Sequence, residues 1–227
     1  MSNKSNAVVA GQRKKLKKNI FYRIFKRATD IVCSIIALIV LSPLLIGISL
    51  AIVIEDGGPV VFKQKRVGKN KEVFYMYKFR SMRKDAEKIV HEIKEKHGKT
   101  DIGQKLKDSE DPRITKVGRF IRKTNIDELP QIINILAGQM SLVGPRPYVT
   151  YEVEAADERY GDIYDERYDV PPGLTCYWQA TFKERCCINF ENRLKMDVKY
   201  AKEANYWIDI KLIFKTAVYS IIGKAGY

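Results

Sequence analysis

Residues 31–54 read IVCSIIALIVLSPLLIGISLAIVI, an apolar run with no charged residue in it. A run of about 18 or more apolar residues has the length of a membrane helix. A soluble core helix seldom stays apolar on every face over such a distance. A cleaved signal peptide fits poorly, because the run is too long for an apolar signal core and no small-residue cleavage site follows before Glu55-Asp56.

Two features complicate a simple span. Ser42-Pro43 lies near the middle, and proline removes a backbone donor and crowds the preceding turn, so a kink or break is expected there. Lys14, Lys15, Lys17, Lys18, Arg23, Lys26 and Arg27 precede the run, and Lys63, Lys65, Arg66, Lys69 and Lys71 follow it. Basic flanks favour the cytoplasmic side, and here both flanks are basic. A helix that enters, breaks at Ser42-Pro43 and leaves on the same face satisfies both. The residues alone leave this re-entrant geometry and an ordinary span with a tolerated proline both open.

The chain has 227 residues, 45% of them hydrophobic, enough for one domain plus an anchor. The formal net charge of +14 points to an anionic partner: nucleic acid, a membrane surface or a phosphorylated substrate. Four cysteines without a C-x-x-C pair, and two histidines, argue against a structural metal cage. A reducing, cytoplasmic setting suits the soluble part.

Residues 60–66 (VVFKQKR) and 72–80 (EVFYMYKFR) read as strands joined at Gly68-Lys69-Asn70, a hairpin pattern. Residues 83–97 read as a charged surface helix stopped by Gly98, followed by a polar connection over 99–112. Residues 128–137 (ELPQIINILA) read as an amphipathic helix closed by Gly138. Pro130 belongs in its first turn, which puts Asp127 near the N-cap and Glu128 inside the helix start. Residues 144–147 (GPRP) form a rigid loop, 151–160 read as helical, and 207–222 read as an amphipathic C-terminal helix. The fold class is therefore α+β, mainly helical with a small β-hairpin.

At a helix N-terminus, Asp127 and Glu128 are stabilised as carboxylates, which suits a nucleophile or a magnesium ligand. Acidic residues also serve there as ordinary caps. The surroundings favour chemistry: Arg119, Arg122 and Lys123 precede the pair, Arg146 is held between two prolines, and Lys78 and Arg80 stand in YKFRSM. Restrained arginines are good phosphate clamps. The P-loop, Rossmann and G-x-S-x-G patterns are absent.

The chain resembles the bacterial sugar transferases, the monotopic polyprenyl-phosphate phosphoglycosyl transferases, over residues 20–220 or so. The resemblance rests on the apolar helix with Ser42-Pro43, GPVVFKQKRVGKN at 58–70, YKFRSM at 77–82, and GRFIRKTNIDELPQIINILAGQMSLVGPRP at 118–147. PPGLTCYWQ at 171–179 and the WIDIKLIFKT tail extend it. It implies a re-entrant membrane helix over 20–57 between a flexible basic tail at 1–19 and a cytoplasmic catalytic domain at 58–227. It implies that Asp127-Glu128 is the catalytic dyad, with Asp127 attacking a UDP-sugar, releasing UMP and passing the phospho-sugar to undecaprenyl phosphate. Mg2+ is implied beside Asp127. Arg122 would orient the carboxylates, and Lys78, Arg80, Arg146, Gln179 and Arg185 would contact substrate. The setting implied is the inner membrane, among membrane lipids, with no nucleic acid; the oligomeric state and the sugar stay open.

The sequence departs from the family pattern after PPGLT. Cys176 stands where glycine is usual, Glu184 stands where glycine is usual before Arg185, and ATFKERCCINF carries extra residues. A non-catalytic adaptor of the same fold would explain that drift but not the intact Asp127-Glu128, Arg122 and Lys78. A basic, membrane-tethered nucleic-acid binder would explain the charge but neither DELPQ nor GPRP.

Overall fold

The structure, a computed structural model, describes residues 16, 18–86, 111–180 and 188–221. Most of the 1–19 tail, most of the expected 83–97 helix and 99–112 connection, and Arg185 lie outside the described residues.

Helix α1, Ile20–Asp56, holds 37 residues, about 55 Å at 1.5 Å per residue. It is capped by Asn19, whose side chain accepts the Phe21 N–H. By length and composition it can cross a membrane. The expected interruption at Ser42-Pro43 is not a gap in the helix, which runs through Pro43. Proline leaves the carbonyl four residues back without its donor. That carbonyl belongs to Ile39, and the Ser42 hydroxyl donates to it at 2.8 Å.

Both ends of α1 rest on the same globular body. Near its start, Arg27 donates to the carbonyls of Ile135 and Leu136 at 2.6 and 2.7 Å. Asp30 accepts from the Ser141 hydroxyl and the Leu142 N–H. Near its end, Ile48 and Ile52 pack with Phe79 and Ile121. Between these contacts Ile35, Ile36, Ile39, Val40, Leu44 and Ile46 are exposed.

Strands β1 (Val61–Val67) and β2 (Val73–Phe79) form the expected antiparallel hairpin, with Val61 opposite Phe79 and Val67 opposite Val73. The connection uses positive φ at Asn70 and Lys71. Alternation along β2 buries Phe74 and Met76 against Ile135 and Met140 and directs Lys78 to the same face.

Helix α2, Lys116–Lys123, begins at Thr115, whose side chain accepts the Gly118 N–H. The Glu55 carboxylate, from the end of α1, takes the Lys116 and Val117 N–H groups at 2.6 and 2.8 Å. A 3₁₀ turn at Ile126–Glu128 precedes α3, Gln131–Leu136.

Strand β3, Ser141–Val143, pairs in parallel with β4, Gly173–Thr175, on either side of α4, Thr150–Tyr160, and a 3₁₀ turn at Asp165–Asp169. Gly144 and Gly173 cross so closely that a Cβ on Gly173 would lie 2.0 Å from the Gly144 nitrogen. Helices α5, Phe190–Glu203, and α6, Tyr206–Ile221, complete the body. The parallel pair and α5 were not among the expected elements; α4 and α6 were. On α6, Asp209 and Leu212 are buried while Trp207, Ile210 and Phe214 are exposed.

Candidate active site

The dyad sits one turn earlier than the sequence suggests. Asn125 adopts the left-handed conformation (φ 56°) and starts the 3₁₀ turn carrying Asp127 and Glu128, and Pro130 is itself the N-cap of α3. The first-turn position expected for proline is thus moved back by one, and the acidic pair stands on its own turn before the helix. The physical reason is the short loop after α2, which reverses the chain at Asn125 and leaves room for only a tight turn before Pro130.

The Lys78 ammonium lies between the carboxylates, 2.8 Å from Glu128 Oε1 and 3.6 Å from Asp127 Oδ2. Burial pushes the Asp127 carboxyl above the ordinary aspartate range; Glu128 adds to that push, while Lys78 and Arg122 pull against it. For Glu128 burial also acts upward. There the charge and hydrogen bond of Lys78, with Arg146 and Arg66, prevail and hold it below the ordinary range. The two carboxyls are therefore driven apart, as in sites that assign them different tasks.

Glu128, Lys78, Gln131, Arg66, Arg146 and Gln179 line one cleft of about 280 Å³, counted with the space that opens to solvent. Arg146 is restrained on several sides. Pro145 and Pro147 flank it, its guanidinium lies 5.5 Å from the centre of the Trp178 ring, and its N–H points at Asp197 Oδ1, 3.4 Å away. Gln179 Oε1 accepts from the thiol of buried Cys176 at 3.0 Å, so the residue replacing the usual glycine orients a cleft side chain.

Arg80, expected at the substrate, is elsewhere. It is buried and bonds the Asp56 carboxylate at 3.1 Å and the Asp56 and Gly57 carbonyls, tying the hairpin to the end of α1. Strand alternation would put Arg80 on the face of Lys78, but β2 ends at Phe79, and Arg80, one residue past it, turns to the end of α1 instead. Arg66 is the converse case, a cleft residue that sequence reasoning counted only as a basic flank. Its NH1 and NH2 donate to the Pro147 carbonyl and to Gln64 Oε1, which fix it beside Arg146. Its place in the GPVVFKQKR block was the available signal. Gln131 was likewise missed, having been read as one residue of an amphipathic helix.

Among the described residues no group of three or more His, Cys, Asp or Glu could hold a metal ion. Asp127 and Glu128 still fit Mg2+, which is commonly bound by one or two carboxylates and completed by substrate phosphates and water.

These features define a class: an α+β domain with a membrane-competent helix docked at both ends and a basic cleft lined by Glu128 and by Lys78, which also reaches Asp127. The chain belongs to the bacterial sugar transferase family, whose sequence pattern matches residues 21–223. It is 42% identical over 197 residues to the undecaprenyl-phosphate galactose phosphotransferase of Salmonella typhimurium, covering 86% of this chain and 40% of that protein. It is 43% identical over 204 residues to the galactosyl transferase CpsE of Streptococcus agalactiae, covering 89% and 43%. With the UDP-glucose:undecaprenyl-phosphate glucose-1-phosphate transferase of Escherichia coli it shares 37% identity over 212 residues, 90% of this chain and 42% of that one. The chain thus spans about two fifths of the length of these relatives.

Proposed function

We propose that this chain transfers a sugar-1-phosphate from a UDP-sugar to undecaprenyl phosphate at the inner membrane, starting the assembly of a bacterial glycoconjugate. The observation that carries the reading is Lys78, which lines a cleft with Glu128, Arg66 and Arg146 and bridges Glu128 to the neighbouring Asp127. The names of the relatives agree with it, for they are phosphotransferases of galactose or glucose to the same lipid phosphate.

In this reading an Asp127 carboxylate oxygen attacks the phosphorus that carries the sugar. The bond from that phosphorus to the bridging oxygen breaks, UMP leaves with the electron pair, and an aspartyl phospho-sugar remains. A phosphate oxygen of undecaprenyl phosphate then attacks the same phosphorus and frees Asp127. Two steps let one cleft serve a soluble donor and a lipid acceptor in turn. Glu128, held ionised by Lys78, keeps the ammonium beside the nucleophile. Arg66 and Arg146 bind the diphosphate and offset charge as it shifts. Bound Mg2+ would neutralise diphosphate charge beside Asp127.

The re-entrant path of α1 belongs to the same proposal. Both ends of α1 dock on one body while its middle is bare and apolar. A straight span would carry one end to the far side of a hydrocarbon layer about 30 Å thick. Ser42 already satisfies the carbonyl that Pro43 orphans, so a bend there leaves no stray acceptor in lipid. Exposed Phe21, Phe25, Trp207 and Phe214 suit headgroup depth, and the basic flanks of α1 support a cytoplasmic side for the cleft in this reading.

The test is UMP release by purified protein in detergent, with undecaprenyl phosphate and either UDP-glucose or UDP-galactose. The expected result is release that stops with EDTA, returns with Mg2+, and is missing in Asp127→Asn. No release from any UDP-sugar donor by the unmodified chain would overturn the proposal.

A further inference from the structure

Among the described residues, strand β2 pairs with β1 on one side only. On its open side a single side chain takes the place of a third strand. The Asn134 Oδ1 accepts the Tyr77 N–H at 3.0 Å, and Nδ2 donates to the Tyr75 carbonyl at 2.7 Å. Its second amide hydrogen goes to Gln139 Oε1, also at 2.7 Å. The main-chain carbonyl of Asn134 accepts the N–H groups of Gln139 and Met140. The side chain is fully buried, and both of its donors are used.

The placement matters because of what lies on either side. Tyr77 immediately precedes Lys78, and α3, which carries Asn134, follows directly on the turn bearing Asp127 and Glu128. The amide therefore fixes β2 along its own axis against α3. A slide of the strand would carry Lys78 away from the carboxylates, which it meets at 2.8 and 3.6 Å. An apolar side chain would fill the volume, but it would leave the partly buried Tyr75 carbonyl and Tyr77 N–H without the Asn134 amide, and unmet backbone groups are costly.

We propose that Asn134 is a positioning residue that sets Lys78 against Asp127 and Glu128. It touches neither substrate nor the reacting atoms and works through the strand. This rests on the transferase reading above. Misplacing a catalytic group by about 1 Å costs on the order of 10²-fold in rate, so a small shift of β2 is enough to be measured.

The test compares the unmodified chain, Asn134→Ala, Lys78→Met and the double variant, each purified in detergent and supplied with UDP-galactose or UDP-glucose and undecaprenyl phosphate. Asn134→Ala is expected to lower kcat by about 10²-fold with little change in KM for the donor, because Arg66 and Arg146 stay in place. In the Lys78→Met background the same substitution is expected to cost little further. Thermal melting identifies folded protein, and Asn134→Ser, which keeps a polar group in the site, is read the same way if the alanine variant does not fold. Unchanged kcat in a folded Asn134 variant, or losses that multiply in the double variant, would overturn this inference alone. Absence of UMP release from the unmodified chain would overturn it together with the transferase reading.

Discussion

Lys78 Nζ stands 2.8 Å from Glu128 Oε1, a charge-assisted contact that favours the ionised form of a partly buried Glu128. The same ammonium is farther from Asp127, at 3.6 Å. Lys78 thus holds Glu128 more closely than Asp127, and in the proposed mechanism an Asp127 oxygen attacks phosphorus. On that mechanism the asymmetry separates the proposed nucleophile from the group that steadies its cation.

Substitutions at the three residues should differ in kind. Asp127→Asn removes the proposed nucleophile, and UMP release should fall to background. Lys78→Met and Glu128→Gln remove preorganised charge, and each should lower kcat by about 10²-fold or more. Steady-state UMP release with a saturating donor checks the order.

The pH profile should carry the sign of the Asp127 shift. In the proposed mechanism the carboxylate is the reactive form, and burial first, then Glu128, raises its pKa. Activity should therefore be lost, as pH falls, at a pH above the ordinary aspartate value. Lys78 pulls both carboxyls down, so Lys78→Met should move the acid limb of residual kcat/KM to higher pH.

Arg80 and Arg146, alike in the sequence as cations near the dyad, should separate by experiment. Arg80→Met breaks the buried contacts to Asp56 and Gly57 and should destabilise the fold by about 3 kcal/mol, with donor KM unchanged. Arg146→Met should raise donor KM with a smaller loss of stability. Thermal melts and initial rates on the same preparations distinguish the two.

Asp197 gives a stability prediction. It is fully buried, and burial, opposed by Arg167 and the Arg146 N–H, pushes its carboxyl up to about 7. A folded pKa above the unfolded one means stability present at low pH is lost as pH rises, here between about 4 and about 7. Asp197→Asn does not titrate. The melting temperature of the variant relative to the unmodified chain should therefore rise across that window and level off above it.

Topology can be read by labelling. With Ser5→Cys and Asn70→Cys, a membrane-impermeant thiol reagent applied to right-side-out and inverted vesicles should reach both positions from the same face. Labelling from opposite faces would contradict the re-entrant path of α1.

Much of the fold was legible because its signals are local. The apolar run gave α1, alternation and a glycine turn gave the hairpin, and the WIDIKLIFKT pattern gave α6. The parallel β3–β4 pair was not legible, because two three-residue strands joined across a helix have no periodicity and are fixed by the Gly144–Gly173 crossing. Lys78, Glu128, Arg146 and Gln179, all taken from the family blocks, line one cleft. Arg80 was misplaced and Arg66 missed for one reason: which face of a hairpin reaches the cleft depends on register and on the α1 contact, and neither is written locally. Asn134 was passed over because a polar residue inside an amphipathic pattern looks like a surface position until the strand beside it is known.

The most direct measurement is the intact mass of the protein after incubation with UDP-galactose or UDP-glucose and Mg2+, without undecaprenyl phosphate. The account predicts a fraction of the chain heavier by one hexose phosphate, mapped to Asp127, lost on addition of undecaprenyl phosphate and never formed in Asp127→Asn. UMP release that depends on the lipid and proceeds with no adduct at any time would contradict it.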